Sequence, residues 1–124
     1  MGIWHSGKAF AAKIVPGDFF THSFADGPFD CIYERTFLCA LPPNRWPTIV
    51  ERTASLLKPG GLLLGYYFFG DKDDGPPFGL ASGEDARLFS GHFELVTDEL
   101  SEDALPLYAG RERWQLRRRA KLRA

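Results

Sequence analysis

The stretch Leu56-Leu57-Lys58-Pro59-Gly60-Gly61-Leu62-Leu63-Leu64-Gly65-Tyr66-Tyr67-Phe68-Phe69 decides the fold. Its Lys58-Pro59-Gly60-Gly61 segment stops any helix that precedes it, because proline cannot donate to the helical ladder and glycine gives up the most backbone entropy. From Leu62 to Phe69 the chain is apolar at almost every position, interrupted only by Gly65. A strand wetted on one face alternates apolar and polar residues; a run without alternation predicts a strand covered on both faces, as in parallel α/β sheets.

Upstream, Trp46, Ile49, Val50, Ala54 and Leu57 fall at helical spacing, with Asn44 as the expected N-cap and Pro47 tolerated in the first turn. Before them, the turn Asp26-Gly27-Pro28 leads into Phe29-Asp30-Cys31-Ile32-Tyr33, whose β-branched and aromatic residues fit a buried strand ending near Glu34 and Arg35. Strand, helix, strand in this order is the parallel-sheet unit. Downstream, the Gly- and Pro-rich segment 70–79 is a loop long enough to be functional, followed by a short helix that Ser82 would cap with Asp85 three positions on. Phe93 to Leu100 and Arg111 to Arg119 read as two consecutive strands with no helical pattern between them, which predicts an antiparallel pair. The first fourteen residues are ambiguous: Lys8 to Lys13 fit the last turns of a helix, and Ile14-Val15 a very short strand cut off by Pro16-Gly17-Asp18.

Composition narrows the function classes. With 124 residues, 44% hydrophobic and 15% aromatic, the chain is one domain with a real core. A net charge of -1 gives no bulk attraction to nucleic acid or membrane. Seven basic residues between Arg111 and Arg123 are explained by alternation along a terminal strand and a solvated tail, so no nucleic-acid partner is expected. Cys31 and Cys39 sit in apolar runs without zinc-type spacing and read as reduced, buried thiols; His5, His22 and His92 are scattered and receive no role. No long apolar run or leader pattern appears, so no membrane association and a cytoplasmic location are expected.

FDCIYERTFLCALPP (29–43), LLKPGGLLLGYYFF (56–69), GPPF (75–78) and AGRERWQLRRR (109–119) together resemble the thiopurine and thiol methyltransferase family. The resemblance implies an α/β fold: a truncated Rossmann-like methyltransferase sheet, mostly parallel with an antiparallel C-terminal strand pair, and helices packed on its faces. It also implies that the chain begins near the third strand of the family fold. Residues 1–13 are then an N-terminal segment of uncertain structure, 14–119 a partial domain lacking the first two strand-helix units, and 120–124 a basic tail. The acidic, glycine-rich turn that lets backbone amides approach the cofactor belongs to the first of those units, and no such run occurs in these residues.

By the same resemblance the cofactor is S-adenosylmethionine and the acceptor a small-molecule thiol or thiopurine. Asp18 would accept the adenine amino group and Phe19 lie along its ring, with Glu34, Arg35 and Thr36 near the methionine part and the methyl group. Arg35 would also hold an anionic substrate, and Pro77 and Phe78 would cover the acceptor. Methyl transfer is an in-line displacement in which the protein aligns donor and acceptor, so no catalytic residue is assigned. Each residue also has a plain structural reading: Asp18 as a turn residue, Glu34-Arg35 as a surface pair or cap, Phe78 as a core aromatic. Two outcomes lead, a truncated methyltransferase that retains part of the cofactor pocket or a non-catalytic, self-associating scaffold, ahead of a third, a nucleic-acid module using the basic C-terminus. In either, loss of the strand beside Phe29–Tyr33 bares a sheet edge that self-association or the N-terminal residues would cover.

Overall fold

The computed structural model describes residues 2–4, 12–13, 28–70, 75–104 and 109–120. Among them run β1 (Gly2–Trp4), β2 (Ala12–Lys13), β3 (Phe29–Arg35), α1 (Trp46–Leu56), β4 (Leu57–Phe68), α2 (Glu84–Phe89), β5 (Phe93–Leu100) and β6 (Glu112–Arg119). The strands form one sheet in the order β2-β1-β3-β4-β6-β5.

The helix break acts where the sequence placed it: α1 ends at Leu56 and β4 begins at once, carrying Lys58 to Gly61 inside the strand. α1 starts later than expected. Asn44 lies in a 3-10 turn, Pro43–Arg45, and Arg45 is the N-cap without a side-chain bond. At α2 the cap is Gly83 in a left-handed conformation rather than Ser82, and Glu84 closes the turn by accepting the Ala81 N–H at 2.9 Å.

The strand-helix-strand unit β3-α1-β4 is parallel as expected, with Ile32 opposite Leu63 and Arg35 opposite Tyr66. β5 and β6 form the expected antiparallel pair, with a bulge between Leu95 and Thr97. A mostly parallel sheet, however, is not what the described strands make, because β3-β4 is the single parallel pair among them. The reason lies at β3: the edge beside it is taken by β1 in antiparallel sense, Gly2 opposite Tyr33 and Trp4 opposite Cys31, with β2 beyond. A parallel neighbour needs a crossover connection, whereas a short antiparallel segment does not. The N-terminal residues thus cover the edge whose exposure the sequence anticipated.

The core lies on one face of the sheet. Ile32, Leu63 and Tyr67 are buried there with Trp46, Ile49, Val50 and Ala54 of α1 and Phe89 of α2, and the two helices touch each other. The indole N–H of Trp46 donates to the carbonyls of Leu38 at 2.8 Å and Leu41 at 3.1 Å, tying α1 to the turn after β3. On the other face Tyr33, Leu62, Leu64, Tyr66, Trp114 and Leu116 are only half-buried. The described helices therefore pack on one face, and β4 alternates buried with half-buried positions instead of being sealed on both sides.

β6 turns its polar residues inward. Trp114 and Leu116 face the half-open side, while Gln115 and Arg117 are 1% and 2% exposed. Asp85 of α2 draws them inward, accepting from Gln115 Nε2 at 3.1 Å and from an Arg117 N–H at 2.9 Å. The Arg117 guanidinium also lies 4.0 Å from the centre of the Phe89 ring. A buried charge needs such a partner, since desolvation without one costs several kcal/mol, on the order of a domain's whole stability margin.

Candidate functional site

β3 and β4 run parallel, so their carboxyl ends open on the same side of the sheet, where open α/β sheets bind ligands. At that end Thr36 N–H still donates to the Tyr66 carbonyl at 3.1 Å, and then the chain turns sharply. Thr36 adopts φ 58, a left-handed conformation that a β-branched residue takes at a cost of about 1–3 kcal/mol. Its hydroxyl donates to the Arg35 carbonyl at 2.7 Å, and Glu34 Oε2 accepts the Phe37 N–H at 2.9 Å. These bonds hold the turn that precedes a 3-10 segment, Leu38–Ala40.

Glu34 is not at the surface. It is 3% exposed, and burial pushes its carboxyl up to about 7 against an ordinary 4.5, the Phe37 N–H offsetting part of the cost. Tyr67 lies close enough to feel this carboxylate, yet its buried hydroxyl makes no hydrogen bond of acceptable geometry. Tyr67 can lie along its own strand only because position 65 is glycine: a methyl group there would overlap its hydroxyl and ring. Gly65, the one break in the apolar run, is therefore a packing requirement, and it is the direct register partner of Glu34.

Arg35 is held by carboxylates. One N–H donates to Glu112 Oε1 at 2.8 Å and to Asp103 Oδ1 at 3.3 Å, and the guanidinium lies 4.4 Å over the Tyr66 ring. Glu112 is 2% exposed, whereas Asp103 is on the surface and also accepts the Ser101 hydroxyl at 2.9 Å. The hydrogen bond to Glu112 is the main influence raising the Arg35 pKa further; the Ser101 hydroxyl and then Arg35 lower that of Asp103.

The Gly75–Phe78 loop reaches the same end. Phe78 N–H donates to the Cys39 carbonyl at 2.7 Å, and Leu80 then pairs alongside the end of β4 through Leu80 N–H to Phe68 O at 2.9 Å. Gly75 and Gly79 are required sterically, since a side chain would strike the Phe78 ring at the first and the Gly70 carbonyl at the second. Pro77 is buried, and Phe78 is partly buried against the core. A cleft of about 620 Å³ opens beside this loop, walled by Phe69, Gly70, Leu80, Asp85, Arg111 and Arg113; Phe78 is not among its walls.

Of the residues singled out from sequence, Glu34, Arg35, Thr36, Pro77 and Phe78 thus collect at one end of the sheet, and Asp18 and Phe19 lie outside the described residues. Glu112, Asp103 and Tyr66 went unanticipated because they meet Arg35 only through the sheet. Cys39 is a free, buried thiol whose pKa burial pushes up to about 12, which suits a packing residue and not a nucleophile. No group of three or more metal-ligating side chains occurs among the described residues, and no described helix is long and apolar enough to cross a membrane.

The sheet and its α1 connection match solved methyltransferases. A SAM-dependent methyltransferase from Methanosarcina mazei superposes with a TM-score of 0.68 at 16% identity, covering 86% of this chain and 66% of that one. The Burkholderia thailandensis 1,6-didemethyltoxoflavin-N1-methyltransferase, solved with its substrate and S-adenosylhomocysteine, gives 0.66 at 19%, covering 86% and 50%. At such identities the likeness establishes the fold alone.

The sequence carries the likeness further. A profile of the family described as Thiopurine S-methyltransferase (TPMT) matches residues 5–121, and the chain belongs to that family. It is 37% identical over 100 residues to the thiopurine S-methyltransferase of Vibrio atlanticus and 40% identical over 103 residues to a probable thiol methyltransferase 2 of Arabidopsis thaliana. These alignments take in 78% and 79% of this chain but 45% of either relative, so the chain spans about half their length.

Proposed function

We propose that this chain is the acceptor-side portion of an S-adenosylmethionine-dependent methyltransferase acting on a small-molecule thiol or thiopurine, incomplete as a catalyst by itself. The observation that carries this reading is the convergence of the β3 turn and the Gly75–Phe78 loop at the carboxyl ends of the two parallel strands, within a family match over residues 5–121. In it Asp18, Phe19, Glu34, Arg35 and Thr36 lie toward the cofactor, and Arg35, Pro77 and Phe78 toward the acceptor. The methyltransferase-like portion runs over residues 14–119, with segment 1–13 before it supplying β1 and β2 to the sheet edge and tail 120–124 after it.

The described side chains fit this cofactor incompletely. Glu34 is turned inward onto Phe37, Arg35 is neutralised by Glu112 and Asp103, and the Thr36 hydroxyl is spent on the preceding carbonyl. They leave no set of free polar groups for a sulfonium nucleoside. Their contribution is to fix the turn after β3. The same engagement favours a second reading, a non-catalytic scaffold that self-associates through a sheet edge. β1 spans β3 only from Cys31 to Tyr33, and β5 ends the sheet on the other side.

Titration of the 124-residue chain with S-adenosylhomocysteine, followed by calorimetry and amide chemical shifts, separates the two. Saturable binding with shifts at Glu34, Arg35 and Thr36 supports the methyltransferase reading. Absence of binding at millimolar ligand, with concentration-dependent sedimentation, supports the scaffold.

A further inference from the structure

The half-open face of the sheet carries one row of residues of which the methyltransferase reading uses only Arg35. Register places Glu99 of β5 opposite Trp114 of β6, Trp114 opposite Tyr66 of β4, and Tyr66 opposite Arg35 of β3. Side chains directly opposite one another on a sheet face are in contact range. At the end of this row the chain after β5 folds back and adds Ser101, Glu102 and Asp103. The result is a cleft of about 390 Å³ with Tyr66 and Trp114 as aromatic walls and Glu99, Glu102 and Asp103 as its charged lining.

Two independent features give this cleft one preference. Aromatic faces attract cations through the ring quadrupole, and Tyr66 already holds one, the Arg35 guanidinium at 4.4 Å. The charged lining is all acidic: Asp103 is shared with Arg35, while Glu99 and Glu102 make no ion pair with any described residue. A neutral apolar ligand would gain from the rings and lose against the carboxylates; an anion would be repelled. A compact inorganic cation would keep its water and gain little from the rings. A weakly hydrated organic cation gains from both.

We propose that the Tyr66–Trp114 cleft binds a small methylated ammonium compound, its charged head between the rings and the Glu99 and Glu102 carboxylates. The site lies on the opposite face from the Gly65–Tyr67–Glu34 packing, and its binding is read without S-adenosylmethionine present.

The test is titration of the full 124-residue chain with choline chloride, read from the Trp114 indole resonance. Sodium chloride fixes the ionic strength, and 3,3-dimethyl-1-butanol serves as the neutral isostere. Choline should shift Trp114 saturably and the isostere should not. Trp114→Leu should weaken the binding about fivefold to tenfold, read from the amides of Ser101 to Asp103. The double variant Glu99→Gln, Glu102→Gln changes only exposed side chains, so the fold is kept; it should weaken binding about threefold or more at low salt. Equal binding of choline and its isostere would overturn the proposal, leaving an apolar cleft. So would the absence of saturable shifts, or full affinity in the doubly neutralised variant.

Discussion

Replacing Glu34 by glutamine should stabilise this protein at pH 8 and leave it nearly unchanged at pH 4. The carboxyl is buried and titrates at about 7 in the folded chain against about 4.5 when solvated. Its pKa is raised by folding, so its contribution is most favourable below pH 4.5, where both states carry the proton. Between pH 4.5 and 7 the unfolded state releases the proton while the folded state retains it. Stability then falls by about 1.4 kcal/mol per pH unit, amounting to about 3 kcal/mol before the folded carboxyl also ionises and the curve levels. Glutamine keeps the oxygen that accepts the Phe37 N–H and cannot ionise, so that pH-dependent component disappears. Urea unfolding at pH 4, 5, 6, 7 and 8, followed by tryptophan fluorescence, measures both curves. The reasoning fails if the glutamine variant is the less stable protein at pH 8, or if the two slopes between pH 5 and 7 are the same.

Three further substitutions probe the packing around the same sheet. Asp85→Ala removes the partner of the buried Arg117 and should destabilise by about 3–5 kcal/mol; combining it with Arg117→Met should recover much of that loss, and chemical denaturation of both variants checks it. Gly65→Ala forces a methyl group onto the Tyr67 ring and should cost about 1–3 kcal/mol, seen as a lower midpoint with an unchanged denaturant slope. Tyr67→Phe deletes a buried hydroxyl that has no hydrogen-bond partner and should be neutral or slightly stabilising; a loss above about 1 kcal/mol would mean that the hydroxyl is bonded to Glu34 in solution.

What could be read from residues alone depended on how local the determining physics was. The Lys58-Pro59-Gly60-Gly61 break, the α1 periodicity and the β5-β6 pairing rest on backbone chemistry and spacing within a few residues, and all three are in the structure. Alternation along β6 was legible too, but its direction was not. Period two says that Trp114 and Leu116 share a face and Gln115 and Arg117 the other; only Asp85 and Phe89 on α2 decide that the polar face goes in. Arg35 shows the same limit in the site. A guanidinium at a strand end looks available to a substrate until Glu112, brought up through two strand pairings, and Asp103, through a third, are seen to occupy it. Sheet parallelism was misjudged where the sequence offered least: β1 and β2 are short, and nothing local specifies that β1 pairs with β3 antiparallel.

β4 pairs with β3 on one side and β6 on the other, so it cannot finish forming until a near neighbour and a distant one have both arrived. The local β3-α1-β4 unit closes a modest loop, but the β4-β6 ladder must wait for the chain through α2 and β5 to be gathered first. Such non-local pairing slows folding, because loop-closure entropy is lost before the contacts that reward it are made. During that interval the long apolar strand Leu57–Phe68 has an open side at the concentration of nascent chains, which makes the arrival of β6 the step at which correct folding competes with aggregation.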